Sequence, residues 1–202
     1  MRSDAARNRE TVLAVAGRLF DEATDPDQVS MDVIAAAAGV GKGTLFRGFG
    51  DRAGLMAALW RQRGEELVTA LTTAEQGPGP LRDRVLALLY AAQQFKLRNR
   101  TLALSLEKAG RGSPYGTDDY ERWHRVLTAL VAAARGTADA PYLAHALLAA
   151  VRADLLIHLG DRPENELRSG LEALVDAIVT GLPAGGARSP HPRMGHASST
   201  TT

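Results

Sequence analysis

The sequence predicts an all-α fold in two parts. A short N-terminal helix-turn-helix unit is joined by a long helix to a larger helical C-terminal part. Three observations predict it. Apolar residues recur at spacings of three and four, segment after segment, with no strand-like alternation and no internal repeat. Glycine and proline punctuate the chain between those segments. One stretch, Ser30 to Phe49, reads as two short helices joined by a glycine-marked turn.

Residues 1–7 read as a flexible arm. Asn8 to Ala23 is a helix, with Val12, Leu13, Ala16, Leu19 and Phe20 on one face. Asp25-Pro26-Asp27 is a loop. Ser30 suits the cap of the next helix, since its hydroxyl can accept from an orphan N–H. Met31 to Ala38 is rich in alanine, the best helix former. Gly39 stands where the chain leaves that helix with positive φ, which glycine tolerates for lack of a Cβ. A second short helix runs from Gly41 and Lys42 to Phe49. Its Val40, Leu45 and Phe49 face inward and its Lys42, Gly43, Thr44 and Arg47 face out. That pairing is a helix-turn-helix, whose second helix is the one expected in a DNA major groove.

Asp51 is a plausible cap for one long helix from Arg52 to about Glu75, with Leu55, Leu59, Trp60, Arg63, Leu67 and Leu71 along one side. Gln76 to Gly79 ends it. Pro80 to Arg98 is a helix with proline at its first position, and Val85, Leu88, Leu89, Ala92 and Phe95 face inward. A shorter helix follows from Arg100 to Ala109, then the loop Gly110 to Gly116. Thr117 to Arg135 carries Tyr120, Trp123, Leu127 and Leu130 on one face. Tyr142 to Leu159 carries Leu147, Leu148, Val151 and Leu155. Glu164 to Leu182 repeats Leu167, Leu171, Leu174, Ile178 and Leu182, close to the narrow seam of a helix bundle. From residue 183 to 202 the chain is rich in Gly, Ser, Pro and Thr without apolar pattern and reads as a disordered tail.

Bulk properties narrow the classes. The chain has 202 residues, 45% of them apolar, no cysteine and a net charge of +1. Neither a disulfide framework nor a thiolate metal site is available. No apolar run approaches the ~20 residues that span a bilayer, and no secretory leader is evident. A cytoplasmic protein without membrane contact is expected. The charge is unevenly placed. Arg2, Arg7 and Arg9 crowd the start, and Lys42 and Arg47 are unopposed by any acid between Val33 and Phe49. A basic face is therefore available on a nearly neutral protein.

Enzymatic patterns are missing. Gly39 to Thr44 superficially resembles a phosphate loop, but Gly43 follows Lys42, position 36 is alanine, and no strand precedes it. Asp154 and His158 lie four apart on one helix, where a polar pair at a helix interface explains them. No cofactor and no metal are called for.

These residues carry a resemblance. The face Val12 to Phe20, the run VSMDVIAAAAGVGKGTLF at Val29 to Phe46 and RGFGDRAGLMAAL at Arg47 to Leu59 together resemble the TetR family of bacterial transcriptional regulators. The match is continuous over about the first third of the chain. The rest is similar in architecture only. The resemblance implies a DNA-binding domain over residues 8–66, with its helix-turn-helix at 30–49. It implies a helical ligand-binding and dimerisation domain over residues 67–182.

Carried over position by position, the resemblance implies phosphate contacts at Ser30, Thr44, Phe46, Gly48 and Arg52. Base-edge or mixed contacts are implied at Lys42, Gly43 and Arg47. Phe46 stands where the family most often has tyrosine, and Gly48 where a histidine is common, so both usual phosphate partners are missing. Specificity is therefore expected to rest on Lys42, Thr44 and Arg47, with Arg47 able to bond guanine O6 and N7 together. The resemblance also implies a homodimer through the last two helices, with Leu148, Val151, Leu155, Leu167, Leu171, Leu174 and Ile178 at the interface. It implies a repressor on double-stranded DNA with a palindromic operator, released by a small-molecule effector. An apolar or aromatic effector would suit a pocket drawn from Phe95, Leu102, Leu106, Tyr120, Trp123, Leu127, Asp154 and His158, with Glu107 as a polar anchor. The competing readings are a DNA-binding regulator without an effector and an all-α enzyme.

Overall fold

The computed structural model describes residues 4–109, 118–160 and 162–181. The expected tail at 183–202 and the loop at 110–116 lie outside the described residues. Among the described residues the regular structure is helical throughout. The helices are α1 (Asp4–Glu22), α2 (Met31–Ala38), α3 (Lys42–Phe49), α4 (Arg52–Arg63), α5 (Glu65–Gln76), α6 (Leu81–Arg98), α7 (Arg100–Ala109), α8 (Asp118–Arg135), α9 (Ala140–Ala149), α10 (Ala153–His158) and α11 (Glu164–Val179). No described helix is long and apolar enough to cross a membrane.

Two apolar cores organise them. The first gathers Val12, Leu13, Ala16 and Phe20 of α1, Ile34 of α2, Leu45 of α3, and Leu55, Met56 and Leu59 of α4. Leu102 of α7 completes it, only 1% exposed. The second gathers Leu71 of α5, Val85, Leu88 and Leu89 of α6, Leu127 and Val131 of α8, Ala144 and Leu147 of α9, and Leu171 and Val175 of α11. Helix α7 therefore returns from the second part to close the first core.

Four sequence expectations change. Residues 4–7, read as part of the arm, form the first turn of α1. The loop at 25–27 contains a 3₁₀ turn, Pro26–Gln28, capped by the Asp25 carboxylate, which accepts from the Asp27 N–H. The long helix expected over 52–75 is two, broken at Gly64. A Cβ there would lie 2.9 Å from the Trp60 carbonyl oxygen, so glycine suits the tight junction. The helix expected over 142–159 is also two. The chain narrows to i−3 bonds at Val151 and Arg152, and Arg152 is extended (φ −68°, ψ 144°). Neither glycine nor proline lies there. The break is held from a distance, because the Glu107 carboxylate of α7 accepts the Ala153 N–H at 2.9 and 3.0 Å. That N–H is one of the orphan donors at a helix start.

Candidate DNA interface and effector pocket

The two short helices are built by local chemistry. Ser30 Oγ accepts from the Val33 N–H at 3.2 Å and caps α2. Gly39 is left-handed at φ 66°, and its N–H closes the end of α2. Asp51 caps α4 by accepting from the Gly54 N–H at 2.7 Å. Between them α3 drives Leu45, 1% exposed, into the first core. At about 100° per residue, Gly43 and Arg47 then lie opposite Leu45, with Thr44 and Phe46 on the two flanks. Lys42, Gly43, Thr44, Phe46, Arg47 and Gly48 are all exposed, and Ser30 is half-buried beside them.

The charged groups of this face are partly engaged. Lys42 Nζ lies 2.7 Å from Asp32 Oδ2, an exposed pair between α2 and α3. The Arg47 guanidinium lies back along its own helix, donating to the Gly43 carbonyl at 3.2 Å and to Thr44 Oγ1 at 3.4 Å. Arg9 of α1 donates to the Gly48 carbonyl at 2.8 Å and sits 4.4 Å over the Phe49 ring. It therefore fixes the C-terminal end of α3 to α1.

Arg52 departs from the phosphate contact that the resemblance implies. Its guanidinium is turned inward, donating to the carbonyls of Val29 at 3.0 Å and Pro26 at 2.5 Å and reaching Ser105 Oγ at 3.5 Å. If the side chain swung out, the Val29 carbonyl would lose this donor, while the Pro26 carbonyl would keep only the Val29 N–H. Arg52 acts as a staple between α4, the 3₁₀ turn and α7.

A cavity of about 250 Å³ opens between the two parts of the chain. Its walls are largely apolar and carry both tryptophans of the chain, Trp60 from α4 and Trp123 from α8, with Tyr120 beside the latter. Leu67, Ala92, Ala103, Leu106, Leu148 and Val151 fill in between. Lys96, Glu107 and Arg152 lie along the same wall, and Asp119 also borders the cavity. Lys96 Nζ and Glu107 Oε1 are 2.7 Å apart, with side chains 20% and 12% exposed. Arg152 grips Asp154 through two nitrogens at 2.9 and 2.8 Å. Those hydrogen bonds, together with one from the Leu155 N–H, hold the Asp154 carboxyl below its usual range against a smaller opposing effect of burial. The Tyr120 hydroxyl is bonded to His145 Nδ1 at 2.6 Å, and the His145 ring stacks on His124 with centroids 3.9 Å apart. Burial first, and then the neighbouring His124, push the His145 pKa down.

Of the expected pocket residues, Leu106, Tyr120 and Trp123 line the cavity. Phe95 stands behind it, 1% exposed, edge-on to Trp60 at 4.6 Å and 84°. Leu102 lies in the first core and Leu127 in the second, because their helices turn those faces inward. Asp154 and His158 are exposed on α10. Trp60 and Lys96 line the cavity as well, although the sequence pattern does not point to either. The expected interface residues also divide. Leu148, Val151, Leu167, Leu171 and Ile178 are buried within the subunit. Leu174 is half-buried, and Leu155 is 37% exposed. Among the described residues no group of three or more His, Cys, Asp or Glu could hold a metal ion.

Comparison with known proteins bears on this geometry. The sequence pattern described as "Bacterial regulatory proteins, tetR family" matches residues 12–59. An HTH-type transcriptional regulator of Staphylococcus aureus (strain bovine RF122 / ET3-1) is 31% identical over 107 residues, 53% of this chain and 57% of that protein. The matched region thus spans little more than half the length of that relative. A second one, from Staphylococcus aureus (strain MRSA252), is 25% identical over 182 residues, 88% of this chain and 95% of its own. In fold, a TetR-like transcriptional regulator from Rhodococcus sp. RHA1 gives a TM-score of 0.65 at 23% identity, over 89% of this chain and 100% of that one. The regulator LfrR from Mycobacterium smegmatis, solved in complex with proflavine, gives 0.56 at 19% identity, over 89% and 98%. These relatives and neighbours are described as transcriptional regulators.

Proposed function

We propose, from the premise that this chain belongs to the tetR family of bacterial regulatory proteins, that it is a transcriptional repressor released from DNA by a small molecule. Two copies each place α3 in the major groove of one half-site of a palindromic operator, about one helical turn apart. Lys42, Thr44 and Arg47 make the principal contacts, with Gly43 facing the base edges and Ser30 and Gly48 close to the backbone. The effector is an apolar or aromatic compound in the cavity walled by Trp60, Tyr120 and Trp123. That the neighbour LfrR was solved with proflavine supports a planar aromatic compound.

The observation that carries this reading is the position of α4. Capped at Asp51 directly after α3, it also supplies Trp60 to the cavity wall. One rigid helix therefore answers to both the reading head and the pocket, and a ligand that binds one arrangement of α4 better shifts the other site. The homodimer has its own support. Leu155 and Ile157 are exposed on α10, and an apolar groove beside α11 is bordered by Leu159, Leu167, Gly170 and Leu174.

The test is a titration of the purified chain against the DNA flanking its own coding region, with and without a planar aromatic compound such as proflavine. Specific binding at one inverted repeat, weakened by the compound, is the expected result. No specific site at moderate salt overturns the regulator. A specific site whose affinity ignores the compound, while the compound still raises the melting temperature, overturns effector release.

The Lys42–Asp32 pair gives a second expectation. Phosphate must compete with Asp32 for the ammonium, and an exposed pair of this kind contributes only ~0–1 kcal/mol. Asp32→Asn should tighten binding to every DNA sequence and steepen the dependence of log K on log salt by up to about one unit. A slope that Lys42→Ala leaves unchanged removes Lys42 from the phosphate contacts.

A further inference from the structure

The large apolar side chain on the reading helix has no place in a set of phosphate contacts. Phe46 is 46% exposed. The other aromatic of α3, Phe49, packs against the first core and lies under Arg9. Phe46 does neither, and it makes no ring contact among the described residues. A phenyl ring has no N–H or O–H to offer a phosphate oxygen, and pressing it against a phosphate removes that group's hydration without return. From the geometry of α3 we infer that Phe46 is a base-specific contact, its ring reading the 5-methyl group of a thymine in the operator half-site. The inference rests on the regulator reading above and concerns how its interface discriminates sequence.

Three features of α3 support it. Gly43 lies at the pole of the outward face, and a Cβ there would meet nothing within 4 Å. Without a side chain at Gly43 the N-terminal half of that face can approach the floor of the groove closely. Phe46 sits about 100° from the buried Leu45, on the flank, so close approach brings it beside a groove wall. The thymine methyl is the one apolar group that a base pair presents in the major groove, and phenylalanine is among the side chains that meet it. The methyl projects beside its own strand's backbone, where a flanking residue reaches it. Arg47, at the pole, faces the deeper guanine acceptors instead. The two residues thus read different chemistry from one helix, and Thr44 on the opposite flank keeps a hydroxyl for phosphate.

The test uses the full chain and a duplex recovered by selection from a random pool. Each thymine is replaced in turn by deoxyuridine, which removes one methyl group and leaves every hydrogen-bonding atom in place. At one position in each half-site the native chain should bind the uracil duplex about fourfold more weakly, the worth of one buried methyl-sized group. Phe46→Ala should bind thymine and uracil duplexes equally at that position, and Phe46→Leu should retain the preference. The inference is overturned if the native chain tolerates uracil at every thymine, or if the uracil penalty persists unchanged in Phe46→Ala. A selection that returns no preferred sequence overturns the regulator reading itself, and this inference with it.

Discussion

Glu107→Ala is expected to remove about 3–5 kcal/mol of stability, the range for deleting one partner of a buried charge pair. The carboxylate is 12% exposed and engages three groups, one on α6 and two at the start of α10. It pairs with Lys96 of α6 at 2.7 Å, accepts the Ala153 N–H that opens α10, and lies 4.0 Å from Arg152. Alanine leaves the Lys96 ammonium against a largely apolar cavity wall and returns the Ala153 N–H to the orphan state. Urea denaturation checks the size of the loss. Glu107→Gln separates the two causes, since its amide oxygen still accepts from Ala153 but carries no charge for Lys96. A loss below about 1 kcal/mol for alanine would show that water replaces the carboxylate without cost.

Arg63→Ala is expected to act on both stability and communication. The guanidinium grips Asp21 of α1 through two nitrogens at 2.8 and 2.7 Å and donates to Asn99 Oδ1 at 2.7 Å. It is packed so closely on α1 that a Cβ at Gly17 would lie 2.8 Å from its Nη2. Arg63 is also the last residue of α4, next to the break at Gly64. It thus ties the first helix, the α4 end and the α6–α7 junction at one point. Hydrogen bonds to charged groups contribute about 1.5–3 kcal/mol, and that loss should appear as a lowered thermal midpoint. The ratio of operator affinities without and with saturating effector should fall towards one, while affinity for the effector itself stays constant. Arg63→Lys should behave like alanine in the ratio, because one ammonium cannot reproduce the planar fork to both partners. An unchanged ratio in both variants would place the coupling elsewhere.

What the sequence reveals depends on how far apart the deciding atoms lie. The α2–turn–α3 unit is legible because its determinants are local. The Ser30 cap, the positive φ of Gly39 and the Asp51 cap each act within three residues of the backbone they shape. The inward set of α3 follows from helical period alone. The break before α10 was illegible because its cause, Glu107, lies 46 residues away. Arg52 misled for the same reason. At a position where an exposed cation is expected, its acceptors are carbonyls 23 and 26 residues earlier in the chain.

The interface seam shows a different limit. A leucine repeat states that one face is buried, not what covers it. Leu167, Leu171 and Ile178 are covered within the subunit, where α11 packs on α6. Leu102 follows the same logic, since its helix serves the first core although it lies in the second part of the sequence. In the sequence Trp60 is one more apolar residue of a long helix. Only the return of α7 and α8 to that helix turns it into a cavity wall.

The placement of the tryptophans has an optical consequence. Trp60 and Trp123 are the only indoles in the chain, and both border the same cavity from opposing helices. With no indole elsewhere to contribute background, the tryptophan emission of this protein, excited at wavelengths that tyrosine does not absorb, comes wholly from the one place where a guest molecule would sit. The chain carries its own built-in optical gauge of occupancy, and no extrinsic dye is needed to read it.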